Sequence, residues 1–184
     1  ASGGAAYLSG GAYDTRTGLE THYASFKIAP SVLASDLGNL THECKRMIQV
    51  VLIGCTWVRT LKSAHDPDIM DGHFVPNIVM GAPIIGSVNK SVPGIFMDCH
   101  MMVSEPLKVC LFTHPQWIKS IAEAGGKSYT FHLEATDDPL EVIRQIKASG
   151  MRASIAINPG TPATEISDEV AHAADMIPVS YTHL

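Results

Sequence analysis

The chain has 184 residues, a formal net charge of −5, and 46% hydrophobic against 17% charged side chains. That balance supports one domain with a buried core and excludes wholesale disorder. The acidic charge, with a pI near 6.0, argues against a nucleic-acid partner, which would call for a basic patch, and no apolar run reaches the length of a membrane span.

Residues 1–25 are rich in Gly, Ala, Ser and Tyr and show no periodicity. They lack the basic start and apolar centre of a secretory signal, and they carry Asp14 and Glu20 beside a single Arg16, unlike an organelle transit peptide. They read as a flexible N-terminal extension. Order is expected from residue 26, with a strand over 26–33. Ser35 or Asp36 then caps a helix running to about residue 48, since Leu37, Leu40, Cys44 and Met47 recur at spacings of three and four. Residues 50–58 are β-prone and predict a strand, as do 68–70. A short helix is expected over 83–89, with Pro83 in its first turn, and a strand over 95–102. A helix over 115–124 should stop at Gly125-Gly126, followed by a strand over 128–133. The next helix, 138–149, has Asp138 at its start and Gly150 as its stop. A strand over 152–157, a helix over 162–173 and the start of a strand over 175–179 complete the chain.

The order is β-α repeated five times with a sixth strand after it. Strands separated by helices imply parallel pairing. Two architectures fit: an open doubly wound sheet and a (β/α)8 barrel. No G-x-G-x-x-G follows any strand, so no dinucleotide fingerprint favours the first. The four cysteines (Cys44, Cys55, Cys99, Cys110) have no C-x-x-C spacing and read as reduced thiols of a cytosolic protein.

The chemistry concentrates in Asp68-Ile69-Met70-Asp71-Gly72-His73-Phe74-Val75-Pro76-Asn77 and in Asp98-Cys99-His100-Met101-Met102. On a strand, Asp68 and Met70 share one face, and His100 and Met102 share another. Ser31, Asp68, His100, Glu134 and the Asn158-Pro159-Gly160-Thr161 turn all fall at strand ends, which face the same way in a parallel sheet. A carboxylate and an imidazole from neighbouring strands can share a divalent metal or flank a substrate carbon. Asp71 and His73 suit shaping the turn, and Met70 and Met102 suit a dry wall. Asp98 lies on the face of His100 and is a candidate to orient it. Gly160-Thr161, ahead of a helix start, is a candidate anion-binding turn.

In these motifs the chain closely resembles the ribulose-phosphate 3-epimerases. The matching pieces are Lys27-Ile28-Ala29-Pro30-Ser31, the two stretches above, Tyr129-Thr130-Phe131-His132-Leu133-Glu134-Ala135 and Asn158-Pro159-Gly160-Thr161, covering residues 26–179. The resemblance implies an incomplete TIM barrel of five βα units plus a sixth strand. It implies a cytoplasmic isomerase of the pentose phosphate pathway acting on a pentulose phosphate, with ribulose 5-phosphate and xylulose 5-phosphate interconverted by two acids on opposite faces of C3. It also implies a divalent metal (Zn, Fe, Mn or Co) that stabilises the charge between the two proton transfers, and a homo-oligomer. By the same resemblance Asp68 is a catalytic acid and a metal ligand, and His100 is a metal ligand near substrate. Ser31, Met70 and Met102 line the site, and Gly160, Thr161, Pro162 and Ala163 belong to a substrate-binding loop.

Four features depart from the family. It reads His-x-Asp where this chain reads Asp66-Pro67-Asp68; Asp66 can substitute as an oxygen ligand, which favours harder metals, and Pro67 removes a ladder donor. Residues 59–67 interrupt the approach to that strand, and 107–115 lengthen a later loop. Residues 180–184 leave the family pattern, and the second catalytic aspartate, a further metal ligand and the glycine-rich phosphate site of the family have no match. A partial or mis-spliced product with intron-derived segments, active at or near background, is expected. The alternatives are a non-catalytic barrel fragment that at most binds metal or sugar phosphate, a hexulose-phosphate 3-epimerase, and an unrelated phosphate-binding barrel enzyme with Glu134 as base.

Overall fold

The structure is a computed structural model that describes residues 4–9, 12–13, 20–21, 25–54, 64–106 and 117–177, with side chains described for 31–49, 66–106 and 117–177. The strands β1 (Gly4–Ser9), β2 (Ala12–Tyr13), β3 (Glu20–Thr21) and β4 (Ser25–Pro30) precede helix α1 (Leu40–Gly54). Then come β5 (Ala64–His65), β6 (Asp68–Asp71), β7 (Ile78–Val79), α2 (Ala82–Ser91), β8 (Phe96–Met102), α3 (Trp117–Ala124) and β9 (Ser128–His132). Helix α4 (Pro139–Ala148), β10 (Arg152–Ala156) and α5 (Asp168–Ala173) follow.

The parallel ladder decides between the two architectures. β4 meets the next strand at the Ser31–Asp66 bridge. β5 and β6 both pair with β8, β8 with β9, and β9 with β10, all parallel. β10 then meets Met176 in a further parallel bridge through Ser154. Spatial order follows chain order without reversal. A doubly wound sheet needs a switch point where the order turns back; a (β/α) barrel adds each strand beside the last. This is the sequential run of an incomplete TIM barrel.

The period-2 side-chain alternation splits the sheet into two chemically different faces. Ile69, Met97, Cys99, Met101, Tyr129, Phe131, Ala153 and Ile155 pack with Ile85, Val88, Ile118, Ile121, Val142 and Ile146 of the helices in one apolar cluster. The buried polar side chains among the described residues, Asp66, Asp68, Asp98, His100, Ser128, Thr130, His132 and Ser154, are all even-numbered strand positions and occupy the opposite face. A sheet buried on both faces is what a curling parallel sheet requires. Burying so many polar groups carries a cost unless they find partners, so this inner face is where the chemistry lies.

Several expected boundaries hold. Helix α3 stops at Gly125, which takes φ +104, and α4 stops before Gly150, at φ +83, both in the left-handed region open to glycine. Asp138 caps α4 by accepting from Glu141 N. Asp36, not Ser35, caps the first helical segment by accepting from Gly38 N.

Other boundaries are corrected. Residues 50–54, expected in a strand, continue α1; a short apolar run fits helix and strand equally by pattern, and here it extends a ladder already formed. Residues 55–58 of that expected strand lie outside the described residues. The strand expected over 68–70 is longer: Ala64 sits opposite Phe96 and Asp68 opposite His100, one unbroken register across Pro67. Pro67 has no N–H to give, which divides the strand into β5 and β6, yet its carbonyl still accepts from His100 N at 3.1 Å. The helix expected over 162–173 is two pieces, a 3-10 turn over Ala163–Glu165 and α5. Ile166 is extended between them and Ser167 starts α5 afresh by accepting from Val170 N. β7 turns back antiparallel on β6, Met70 facing Val79. Within residues 1–25, where composition shows no periodicity, Gly4–Ser9 pairs antiparallel with Ser25–Pro30.

Candidate active site and metal centre

Four side chains converge from three adjacent strands. Asp68 and His100 are cross-strand partners in the β6–β8 register, so the even-numbered alternation aims both inward. His100 Nδ1 lies 3.0 Å from Asp68 Oδ1. Ser31 Oγ, one residue past β4, donates to Asp68 Oδ2, so both oxygens of this carboxylate are engaged. Asp66 comes in from the same strand, two residues earlier. Asp66, Asp68 and His100 each offer a ligand atom, and these atoms lie within 4.8 Å of one another.

Burial sets the electrostatics. Asp66 is 5% exposed, and its Oδ1 has no hydrogen-bond partner. Burial drives its carboxyl well above the usual range, the nearby His100 opposes this, and Asp98 and Asp68 add to the rise. Burial alone would lower the His100 pKa. The hydrogen bond to Asp68 and the charges of Asp66, Asp68 and Asp98 outweigh it and raise the imidazole above its ordinary value. A buried, orphaned carboxylate oxygen beside a second carboxylate and an imidazole is a donor set with room for one more partner. Its O,O,N chemistry fits a divalent cation, so the residues present suit the metal that the motif resemblance implies.

Met70 and Met102 face one another in the β6–β8 register and are nearly fully buried, forming a dry wall just past Asp68 and His100. Asp71 works on the turn. Its Oδ1 accepts from His73 N at 2.8 Å and Phe74 N at 3.0 Å, and its Oδ2 from Ser104 N and Oγ, both at 2.9 Å. Gly72 takes φ +79 within that turn. Asp98 does not orient His100. Its Oδ1 accepts from Thr130 Oγ1 at 2.8 Å, because both His100 nitrogens are already engaged elsewhere.

The Gly160–Ala163 loop follows β10, with open space at Gly160. It does not open a long helix as expected, since Pro162 leads only into the short 3-10 turn. Two donors of this turn are already taken: Glu134 Oε1 accepts from Asn158 N at 2.7 Å and from Thr161 Oγ1. Burial alone would raise the Glu134 pKa, but these two hydrogen bonds, a third from its own backbone N–H and the nearby His132 together lower it. The sequence reading also missed His132. Its ring is 2% exposed, and its Nε2 lies 2.9 Å from His100 Nε2. The available signal was its parity: His132 stands two residues after Thr130 on the inner face of the strand beside that of His100.

Residues 27–180 match the family model described as "Ribulose-phosphate 3 epimerase family". The chain belongs to the ribulose-phosphate 3-epimerase family. Among named relatives, it is 42% identical over 164 residues to a ribulose-phosphate 3-epimerase of Candida glabrata, covering 81% of this chain and 59% of that protein. A ribulose-phosphate 3-epimerase of Eremothecium gossypii is 43% identical over 159 residues, with the same coverage. The "cytoplasmic isoform" ribulose-phosphate 3-epimerase of Oryza sativa subsp. japonica is 41% identical over 144 residues, 78% of this chain and 55% of its own. The chain thus spans less than two thirds of the length of these family members. The family and the ladder agree on a TIM barrel, and the matched residues include every member of the convergent group.

Proposed function

We propose that the chain carries one half of the catalytic apparatus of a ribulose-phosphate 3-epimerase, acting on C3 of ribulose 5-phosphate or xylulose 5-phosphate. The observation that supports this most is the meeting of Ser31, Asp68 and His100 from three adjacent strands, with the orphaned Asp66 oxygen beside them. Asp68 is the group that takes or returns the C3 proton on one face of the sugar. The Ser31 hydroxyl, donating to Oδ2, holds that carboxylate in place. Met70 and Met102 keep water from the reacting carbon, which strengthens each electrostatic contact there. Asp66, Asp68 and His100 are the residues that would hold a divalent cation (Zn, Fe, Mn or Co). Such an ion, when bound, polarises the substrate oxygens and lowers the cost of removing a proton from carbon. The Asn158–Thr161 turn, held by Glu134, is the substrate-facing loop. The rice relative's name suggests the cytoplasm, and no described helix is long and apolar enough to cross a membrane.

Inversion at C3 needs an acid on each face. The chain spans about 59% of the first two relatives, and we assign the second acid to the part of the family barrel not represented here. Epimer formation by this chain is therefore expected at background in a coupled assay, with or without added divalent metal. One acid suffices for a reversible proton transfer on one face. In D2O with a divalent cation, ribulose 5-phosphate should acquire deuterium at C3, followed by NMR, and Asp68→Asn should abolish this. Turnover matching a complete epimerase, or deuterium uptake unchanged in Asp68→Asn, would overturn the assignment.

A further inference from the structure

We infer that β1 is a guard strand: it covers the edge of the parallel ladder that a closed (β/α) barrel pairs with its last strand, and without it that edge takes the same edge of a second copy of this chain. Nothing in this depends on the cation site. The ladder runs from β4 through β5–β6, β8 and β9 to β10, and every pairing in it is parallel. β4 joins it through the Ser31–Asp66 bridge. On the other side of β4 lies β1, which pairs antiparallel from Gly4 opposite Pro30 to Ser9 opposite Ser25. Among the described residues β1 pairs with no other strand. A (β/α)8 barrel closes by joining its first strand to its last, and β4 is the first strand of this ladder. An antiparallel strand in that place is not a member of the parallel run. It is an addition, and it uses the backbone groups that a closing strand would need, so any strand that closes the ladder onto β4 has to displace β1 first. An uncovered edge is a template for another chain. Two copies that meet edge to edge about a twofold axis pair antiparallel, the sense in which the β4 edge already accepts β1.

Backbone parity identifies the amides involved. Val32 N donates to Asp66 O at 3.2 Å, so even-numbered residues on this stretch turn their N–H and C=O groups toward the ladder. Successive residues of a strand turn these groups to opposite sides, so Ser25, Lys27 and Ala29 turn theirs toward β1. Pro30, which has no N–H, falls on the ladder side and withholds nothing from β1. In the β1–β4 register the hydrogen-bonded pairs are therefore Ala5 with Ala29, Tyr7 with Lys27 and Ser9 with Ser25. The Ala6 and Leu8 amides turn away from β4.

Two double substitutions in the full chain separate guarding from general support. Ala5→Pro with Tyr7→Pro removes two donors that face β4. Ala6→Pro with Leu8→Pro removes two that face away, where an edge strand tolerates proline. In amide exchange the wild type should protect Lys27 and Ala29 and leave Ala6 and Leu8 open. At dilution the first variant should exchange Lys27 and Ala29 at least roughly tenfold faster, and the second should stay within about threefold of wild type. In sedimentation across a concentration series the first variant should form a dimer that wild type and the second variant do not, and protection at Lys27 and Ala29 should return as it forms. The Ile155 amide, bonded to Met176 O, should exchange alike in all three proteins. Free exchange of Lys27 and Ala29 in the wild type, equal effects of the two variants, no dimer of the first, or a dimer that leaves Lys27 and Ala29 open would each overturn the inference. So would a first variant that loosens Ile155 as much as Lys27, since β1 would then support the whole sheet and not guard one edge.

Discussion

Asp66→Asn should make the metal-free protein more stable and destroy its response to metal. Asp66 is 5% exposed with Oδ1 unpartnered. The β5–β8 and β6–β8 registers, Ala64 opposite Phe96 and Asp68 opposite His100, put it across from Asp98, whose Oδ2 is also unpartnered. An amide in place of the carboxyl offers that oxygen an N–H and removes a buried acid. An unsatisfied buried polar group costs about 1–3 kcal/mol, which for a chain of this size is a rise in Tm of roughly 2–10 °C. The sign of the pH dependence follows from linkage. Burial raises the folded pKa of Asp66 above its ordinary value of 3.8, so wild-type stability is lost as pH rises from that value through the folded pKa. The advantage of Asp66→Asn should therefore be small below pH 4 and grow toward neutrality. A saturating divalent ion at a hundred times its Kd stabilises the wild type by about 2.7 kcal/mol; the variant should show little of that. Thermal melts at pH 3.5 and 7.5, with and without Mn2+, read all of these. A variant less stable than wild type at pH 7.5 without metal would refute the reasoning.

Asp71→Asn should act in the opposite sense. Burial alone would raise the Asp71 pKa, but hydrogen bonds from Phe74 N, Ser104 N, His73 N and Ser104 Oγ bring it down to about 2. Its contribution is present above the ordinary value of 3.8 and is lost as pH falls through the folded value. After discounting for partial exposure, the variant should lose about 1–2 kcal/mol in urea unfolding at pH 7, with the gap closing toward pH 2; a gap independent of pH would count against it. Glu134→Ala should free the loop it holds. Charge-assisted hydrogen bonds contribute about 1.5–3 kcal/mol each, so the Asn158 amide should exchange with D2O at least roughly tenfold faster, while the Ile155 amide, bonded to Met176 O, is unchanged. Equal acceleration of both would mean that the substitution had loosened the sheet as a whole.

Much of this could be read from the sequence because the signals were local. The β8, α4 and β10 segments alternate or repeat cleanly, and their glycine and aspartate punctuation acts within a few residues. Parity along β6 and β8 placed Asp68 with Met70 and His100 with Met102, and register then made them partners. What escaped was decided across the chain. Whether residues 50–54 are helix or strand depends on what they join, since the apolar pattern serves either. The 162–173 helix broke at Ile166, where Ser167 supplied a fresh cap. Asp98 shares a face with His100, but Thr130 on the next strand claims it. His132 was invisible as a site residue because its chemistry depends on a partner 32 positions away and on Glu134, which is turned toward a loop still further along.

Asp66-Pro67-Asp68 is best understood as one change with two physical consequences that meet at the same place. Pro67 withholds a ladder donor between β5 and β6, yet the backbone there still accepts, from Val32 N at 3.2 Å to Asp66 O and from His100 N at 3.1 Å to Pro67 O. Both bonds still aim Asp66 and Asp68 inward, so the donor geometry survives the loss. What differs is the character of the candidate donors: two carboxylates and one imidazole, where the motif resemblance implies a second imidazole. Oxygen-rich sets suit Mn2+ and other hard cations, and imidazole suits Zn2+. Asp66→His should therefore shift the Zn2+ to Mn2+ affinity ratio toward zinc by at least about tenfold, a difference of about 1.4 kcal/mol, in competition titrations on the full chain. It should also remove the buried acid facing Asp98, so the metal-free variant should not be less stable than wild type. An unchanged ratio in a folded Asp66→His protein would mean that Asp66 lies beside the cation site without entering it, leaving Asp68 and His100 to hold the ion with solvent or substrate oxygens.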